Sequence, residues 1–196
     1  VSLDVFLHLG YPAATALRYG TFQAVSMGTT TGFSTTNFGL WPAFSQAALI
    51  VLMLIGGSSG STAGGIKVSR IIILGKYAAR EIRHVFSPRA VAPVKFGERT
   101  LTEWVISRTV GVAILYVLTF VISFLLMSAV GLDMVSAASS VAATMGTVGP
   151  GLGSVVLDYT AVPAVGKVVL IMDMLLGRLE LWAILVLLSP AFWKWR

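Results

Sequence analysis

Long apolar stretches interrupted by runs of glycine, serine and threonine dominate the 196-residue chain. An uncharged stretch over residues 109–130 is longer than the roughly 20 residues that a helix needs to cross the hydrocarbon core of a bilayer. It predicts a transmembrane helix. The apolar runs at residues 44–55 and 66–79 are each too short to span alone, and they flank GGSSGSTAGG at residues 56–65. We interpret them as one spanning segment with a break at mid-depth.

The same order of elements occurs twice along the chain. In each half, a short run of small residues leads into a loop of threonine and glycine, and a long apolar segment follows. A spacing of 117 residues places Gly32 on Gly149 and Thr30 on Thr147. Because internal repetition defines a fold, we expect an all-α membrane protein of two helix–pore-loop–helix repeats, at residues 1–95 and 96–196. The broken segment would be the inner helix of the first repeat.

The two loops have the composition of a cation filter: TTTGFSTTNFG at residues 29–39 and MGTVGPGLG at residues 145–153. We call them the N-terminal and C-terminal filter loops. Irregular backbone at membrane depth occurs only where it is buried or lines a watery cavity, and its carbonyl oxygens can then replace the hydration shell of an ion. Neither loop contains a carboxylate, which favours a monovalent cation over calcium or magnesium.

The candidate filter residues are those around the threonine and glycine of each loop. They are Thr30, Thr31, Gly32, Phe33, Thr147, Val148, Gly149 and Pro150, and a K+ ion is expected at Thr30, Thr31, Gly32, Thr147, Val148 and Gly149. The glycines would supply backbone freedom and the threonines hydroxyl oxygens. The alternative is that both loops are ordinary turns between membrane helices.

Composition and charge agree with a membrane protein and give its orientation. The chain is 56% hydrophobic and 11% charged, with a mean hydropathy of +0.88. Nine basic and three acidic residues between Lys67 and Arg108 account for the whole net charge of +6. By the positive-inside rule, the loop from Lys76 to Glu103 and the C-terminus should face the cytoplasm, and no nucleic-acid partner is needed to explain the charge. The absence of cysteine excludes disulfides and thiolate metal sites.

Four segments resemble, in the same order, motifs of the potassium transporter superfamily that comprises bacterial Trk and Ktr proteins and plant HKT proteins. TTTGFSTTNFG is similar to its third filter, and IGGSSGSTAGGIK at residues 55–67 to the glycine-rich break in its third inner helix. MGTVGPGLG is similar to its fourth filter, and MLLGRLELW at residues 174–182 to its last inner helix. The bacterial Trk subgroup is the most similar.

The resemblance implies half of a four-repeat potassium-channel-like pore, namely its third and fourth repeats. It implies potassium uptake across the inner membrane by a multi-pass protein that is not an enzyme, with K+ (Na+ being left open) as transported ion and no organic cofactor. The implied partners are the N-terminal half of the same protein, a second copy in a homodimer and a cytosolic ring of nucleotide-binding regulatory subunits. Residues from Lys76 to Arg99 are a candidate docking surface for that ring, with attraction to anionic lipid as the alternative.

The resemblance also implies that the break is an intramembrane gate beneath the filter. Its residues, which we call the gate loop, are Gly56, Gly57, Ser58, Ser59, Gly60, Ser61, Thr62, Ala63, Gly64 and Gly65. So many glycines disfavour a stable helix, since each costs about 1 kcal/mol relative to alanine. Close packing of helices through small residues is the alternative.

Arg178 is the second candidate gate residue. A charged residue within a span is costly and normally faces a cavity or a partner. The spacing of 117 places Arg178 at the depth of Ser61, so we expect its guanidinium to bond carbonyls of the gate loop and to repel cations when the pathway is closed. The alternative is an ion pair with Asp173 or Glu180, although spacings of five and two suit neither helical contact.

Two other functions compete with the filter. An ion-coupled secondary transporter would bind its substrate at broken helices, but inverted repeats would give the two loops opposite orientations. An intramembrane serine protease is suggested by GGSSG around Ser59, but its base would have to be His8 or His84, and neither lies in a span at that depth.

Overall fold

The computed structural model describes residues 1–87, 93–156, 158–179 and 193, and these are mainly helical. The helices are α1 (Ser2–Leu9), α2 (Ala13–Gly28), α3 (Ala43–Ile55), α4 (Val68–Phe86), α5 (Glu103–Ala129), α6 (Met134–Met145) and α7 (Ala164–Leu179). Single turns of 3-10 helix lie at Phe38–Leu40 and Gly153–Val155, and two short strands, β1 (Lys95–Phe96) and β2 (Arg99–Thr100), form a hairpin.

The hairpin is an addition to the expected all-α fold. Its strands pair antiparallel, with Lys95 opposite Thr100 and Phe96 opposite Arg99. Gly97 has a φ of 62°, the left-handed conformation that a tight turn requires. Two residues per strand are too few for a recognisable alternation of polar and apolar positions, which is why the sequence pattern did not predict it.

Helix α5 contains the predicted transmembrane stretch. It begins at Glu103, six residues before the uncharged stretch, because the charged first turns extend the helix beyond its apolar part. Its apolar window has a mean hydropathy of 2.6, and only 22% of that window is buried. Apolar side chains such as Ile114, Val117 and Leu125 are instead exposed, which is typical of a helix surrounded by lipid. Within the described residues, α5 alone is long and apolar enough to cross a membrane.

Helix α6 lies at the centre of the structure and is buried over almost its whole length. Its alanine and serine residues let α3, α5 and α7 approach closely. One apolar cluster includes Met27 and Leu49 with Ala142 of α6, and a second includes Met127 and Leu170 with Val141. Because α6 contributes to both clusters, it joins the two halves of the chain into one core.

Between α3 and α4 the chain forms a loop that ends next to the C-terminal end of α3. Gly56, at the end of α3, has a φ of 71°. The Ile66 amide then donates to the Leu54 carbonyl at 2.9 Å, and the Val68 amide donates to the Gly57 carbonyl at 3.0 Å. These bonds close the gate loop at its base, so that α4 begins next to the end of α3. The predicted interruption of one helical segment is therefore present.

Candidate ion filter and gate

The two filter loops leave the C-terminal ends of α2 and α6 with the same unusual backbone. Thr30 and Thr147 have φ angles of 57° and 54°, and Gly32 and Gly149 have φ angles of 79° and 104°. Both pairs are 117 residues apart, the spacing found in the sequence. A left-handed conformation is rare for a β-branched residue such as threonine. Its occurrence at both positions gives the two loops one shared geometry.

Backbone hydrogen bonds repeat at the same spacing. In each loop, successive amides turn back to carbonyls in the last turn of the preceding helix. The bonds run from Thr30 N to Met27 O (3.2 Å), from Thr31 N to Ser26 O (2.9 Å), from Thr147 N to Thr144 O (3.0 Å) and from Val148 N to Ala143 O (2.8 Å). The first part of each loop is thereby held against the C-terminal end of a short helix.

The later part of each loop is held by a buried polar side chain of the same helix. The Thr35 amide donates to Gln23 Oε1 at 3.3 Å, and the Leu152 amide, 117 residues further on, donates to Ser139 Oγ at 2.8 Å. Ser26 Oγ also donates to the Phe33 carbonyl at 2.6 Å. Gln23, Ser26 and Ser139 were missed by sequence reasoning. They could have been recognised as polar residues within helices that otherwise consist of apolar or small residues.

The two filter loops contact each other directly. A Cβ atom at Gly32 would lie 2.0 Å from the Val148 carbonyl oxygen and 3.2 Å from Pro150 Cδ. At Gly149, by contrast, a Cβ atom would meet nothing within 4 Å among the described residues. Equivalent glycines thus differ in their surroundings: one abuts the neighbouring loop and the other has an open side.

The gate loop packs directly against the C-terminal filter loop. The Gly64 amide donates to Thr147 Oγ1 at 3.1 Å. A Cβ atom at Gly64 would lie 2.6 Å from the Gly146 carbonyl oxygen, so only glycine allows this approach. The Thr147 hydroxyl, a candidate ion ligand, is therefore engaged with the gate loop.

Arg178 contacts the gate loop, as the spacing of the repeats predicted. Its guanidinium donates to the carbonyl of Thr62, one residue from the expected position. A cavity of about 320 Å³ between the gate loop, α5 and α7 is lined by Arg178, Thr62 and Tyr116. The contact is observed, while the role of Arg178 in gating stays a prediction.

The alternative ion pair with Asp173 is wrong within the described residues. Asp173 is buried, and its Oδ1 accepts a hydrogen bond from Ser123 Oγ of α5 at 2.7 Å. Glu180, the other suggested partner, lies outside the described residues, as do Lys194 and Arg196 at the C-terminus.

Ser59 does not have the surroundings of a nucleophile. Its hydroxyl bonds the Ser69 hydroxyl. His8 instead pairs with Asp4 at 3.0 Å, and His84 lies in the last turn of α4. The two histidines of the chain are thus both away from the serine that a protease would use.

The described residues of the basic loop from Lys76 to Glu103, which we call the basic connection, lie mainly on α4 and the hairpin. Lys76, Arg80, Arg83 and Lys95 line a cavity of about 240 Å³. Arg80 is neutralised in part, because it bonds Glu103 and lies 3.2 Å from Glu81. Lys76 Nζ donates to the Lys95 carbonyl at 2.7 Å. Arg89, within the same connection, lies outside the described residues.

The family model described as TrkH, cation transport protein, matches residues 7–194. The chain belongs to the TrkH family. The resemblance inferred from the four motifs is therefore confirmed. Among the described residues, no three histidine or acidic side chains come together as a metal site would require.

Relatives in the TrkH family are named for potassium transport. The chain is 42% identical to the Trk system potassium uptake protein TrkH of Salmonella typhimurium and 41% identical to that of Escherichia coli K12, in each case over 98% of the chain and 40% of the relative. A crystal structure of the potassium transporter TrkH from Vibrio parahaemolyticus is similar with a TM-score of 0.90 and 43% identity, covering 98% of this chain and 42% of that one. The chain thus spans about 40% of the length of these relatives.

Proposed function

We propose that this chain provides the third and fourth pore repeats, residues 1–95 and 96–196, of a membrane protein that takes up potassium. The observation that carries the proposal is the repeated left-handed backbone at Thr30 and Gly32 and at Thr147 and Gly149. A repeated, hydrogen-bonded loop at the end of two short helices is the geometry that a carbonyl-lined filter needs. The relatives are named potassium uptake proteins, which supports K+ as the transported ion.

The ion would be bound by oxygens at the C-terminal ends of α2 and α6. The last turns of these helices carry partial negative charge, which favours a cation beside them. Carbonyl oxygens of residues 30–33 and 147–150 are the proposed ligands. Thr147 Oγ1 accepts from the gate loop, so this hydroxyl is a weaker candidate than the carbonyls. Each carbonyl oxygen has two lone pairs and can accept one hydrogen bond while it contacts an ion.

The open side of Gly149 suggests how the filter closes. Gly32 abuts the Val148 carbonyl of the next loop in the chain. If successive repeats surround one axis, the next repeat should abut Gly149 in the same way. We propose that the rest of the full-length protein supplies the two missing loops. This agrees with a chain that spans about 40% of its relatives.

The protein would lie in the inner membrane, with lipid against the exposed apolar face of α5. The basic connection would then face the cytoplasm. Lys76, Arg83 and Lys95 then lie at the cytoplasmic surface as the docking site for a regulatory subunit ring, and a homodimer is the proposed assembly. The positive charge of these three residues supports a role in docking.

The gate loop would close the pathway beneath the filter. Its contact with Thr147 and its bond to Arg178 support this role, because both tie a glycine-rich segment to the pore-lining elements. An ion-coupled secondary transporter is less well supported. Both filter loops follow the C-terminal end of a helix with the same hydrogen bonds, whereas inverted repeats would place one of them oppositely.

Flux of K+ and Na+ into liposomes that contain the full-length protein tests the proposal. Gly32→Ser and Gly149→Ser place a side chain where φ is positive, and both should lower the ratio of K+ to Na+ flux. Gly75→Ser is the matched control, since a Cβ atom there meets nothing within 4 Å and the φ angle is not in the left-handed region. Unchanged selectivity in both filter variants would reject the filter. If only Gly32→Ser lowers the ratio of K+ to Na+ flux, the filter stands, but the proposed contact of Gly149 with a further repeat is wrong.

A further inference from the structure

A tyrosine outside both filter loops holds one carbonyl of the C-terminal loop. Tyr159 lies between α6 and α7, and its hydroxyl donates to the Gly149 carbonyl at 2.7 Å. The ring packs against the apolar cluster that contains Val155 and Leu170. The hydroxyl is thus presented to the filter from a side chain that is itself fixed by the core.

The Gly149 carbonyl has little else to fix its direction. It belongs to the peptide that joins Gly149 to Pro150, and proline has no N–H, so this carbonyl is the only hydrogen-bonding group of that peptide. Gly149 has a φ of 104°. Because it carries no side chain, its backbone can adopt a wide range of φ and ψ angles. Its own amide makes only a long bond, 3.5 Å, to the Ala143 carbonyl. The Tyr159 bond is therefore the main restraint on this peptide among the described residues.

The Tyr159 hydroxyl remains a donor at any physiological pH. Burial of the ring raises the pKa of Tyr159 to about 12. The phenol therefore keeps its proton, and the bond to the carbonyl does not titrate.

The restraint is specific to the second repeat. The spacing of 117 places Tyr159 on Pro42, which has no donor. In the N-terminal loop, Ser26 of the preceding helix holds the carbonyl of Phe33, the residue equivalent to Pro150 rather than to Gly149. The two loops have the same backbone conformation but are supported from different directions.

We propose that Tyr159 is a positioning residue for the filter: its hydroxyl fixes the Gly149 carbonyl and thereby sets the preference for K+ over Na+ at the C-terminal loop. This inference rests on the proposed function. A carbonyl held in one place keeps the oxygen cage at one size. A carbonyl free to rotate adapts to the smaller Na+ ion, so loss of the bond lowers selectivity.

Tyr159→Phe in the full-length protein removes only the hydroxyl oxygen. The ratio of K+ to Na+ flux in liposomes is expected to fall roughly two- to tenfold, the factor that corresponds to the loss of one hydrogen bond. The ratio does not depend on the amount of active protein, so a merely structural role would not change it. Tyr11→Phe, which removes the same atom from a tyrosine that packs on Tyr19, is the control and should keep the wild-type ratio.

Tyr159→His, whose ring can donate a hydrogen bond, should retain more selectivity than Tyr159→Phe. If Tyr159→Phe leaves the ratio unchanged while Gly149→Ser lowers it, the positioning role is wrong and the filter stands. If neither Gly149→Ser nor Gly32→Ser changes the ratio, the filter itself is wrong. Failure of Tyr159→Phe to assemble, measured by size-exclusion chromatography, would also overturn the proposal, because a positioning role leaves folding intact.

Discussion

The amide of Gly64 donates a hydrogen bond of 3.1 Å to the hydroxyl of Thr147, which joins the gate loop to the C-terminal filter loop. Thr147 is one of the two threonines with a left-handed backbone, and this backbone conformation fixes the direction of its side chain. Any movement of the gate loop away from the filter must break this bond. The filter and the proposed gate are therefore coupled through one hydroxyl group.

Thr147→Val should weaken this coupling. Valine keeps the β-branched shape but cannot accept the Gly64 amide, so the arrangement observed here loses one hydrogen bond. We expect K+ flux through the full-length protein without its regulator to rise roughly two- to tenfold. Thr30→Val is the matched control, because it is the equivalent change in the N-terminal loop, and the Thr30 hydroxyl has no hydrogen bond within the described residues. Equal effects of the two variants would contradict the coupling.

Arg178→Ala should also raise flux in the absence of the regulator. The change removes the guanidinium that bonds the Thr62 carbonyl and also removes a positive charge beside the proposed pathway. Arg178→Lys keeps the charge but lacks the planar guanidinium with its several donors. Its K+ flux should therefore lie between the fluxes of wild type and Arg178→Ala. The measurement is K+ flux with and without the regulatory subunit. Unchanged flux and regulation in Arg178→Ala would show that Arg178 is not part of a gate.

Ser123→Ala should destabilise the packing of α5 on α7. Ser123 is the hydrogen-bond partner of Asp173 Oδ1, and Asp173 Oδ2 makes no hydrogen bond within the described part of the chain. Removing the hydroxyl leaves a buried carboxyl group without a partner, which costs about 1–3 kcal/mol. We expect a lower melting temperature for the purified full-length protein. Ser128→Ala, on the same helix but without a comparable bond, should have little effect, and equal losses would contradict this account.

The elements of the fold were predictable where a single physical constraint dominates the sequence. The length of an uncharged stretch predicts α5, and the run of glycines predicts the break between Ile55 and Val68, because membrane thickness and helix propensity act locally. The spacing of 117 residues predicted which threonines and glycines are equivalent, and it also placed Arg178 within one residue of its contact at Thr62.

Support for the loops could not be predicted in the same way. Tyr159 and Ser139 lie ten and thirteen residues from the atoms that they bond, Gly149 O and Leu152 N, and neither follows a repeated spacing. Such contacts depend on how helices pack, and the two repeats use different residues for the same task. The bond between Gly64 and Thr147, across 83 residues, likewise arises only when the gate loop folds back on its base.

Asp133 should make stability depend on pH in the acidic range. Its carboxylate caps α6 by accepting from the Ser136 amide at 3.1 Å, and hydrogen bonds from Ser136 hold the pKa of Asp133 below its usual value. A lowered pKa in the folded state stabilises the protein above the unfolded-state pKa of about 4, and this contribution is lost as the pH falls through the lower folded-state value.

Asp133→Ala should lower the melting temperature of the full-length protein at pH 7, since loss of a helix cap costs about 0.5–2 kcal/mol. Asp133→Asn keeps a capping oxygen but cannot titrate, so it should match wild type more closely at pH 7 and lose less stability between pH 5 and pH 3. An identical acid response of wild type and Asp133→Asn would show that the cap at Asp133 does not contribute to stability through its charge.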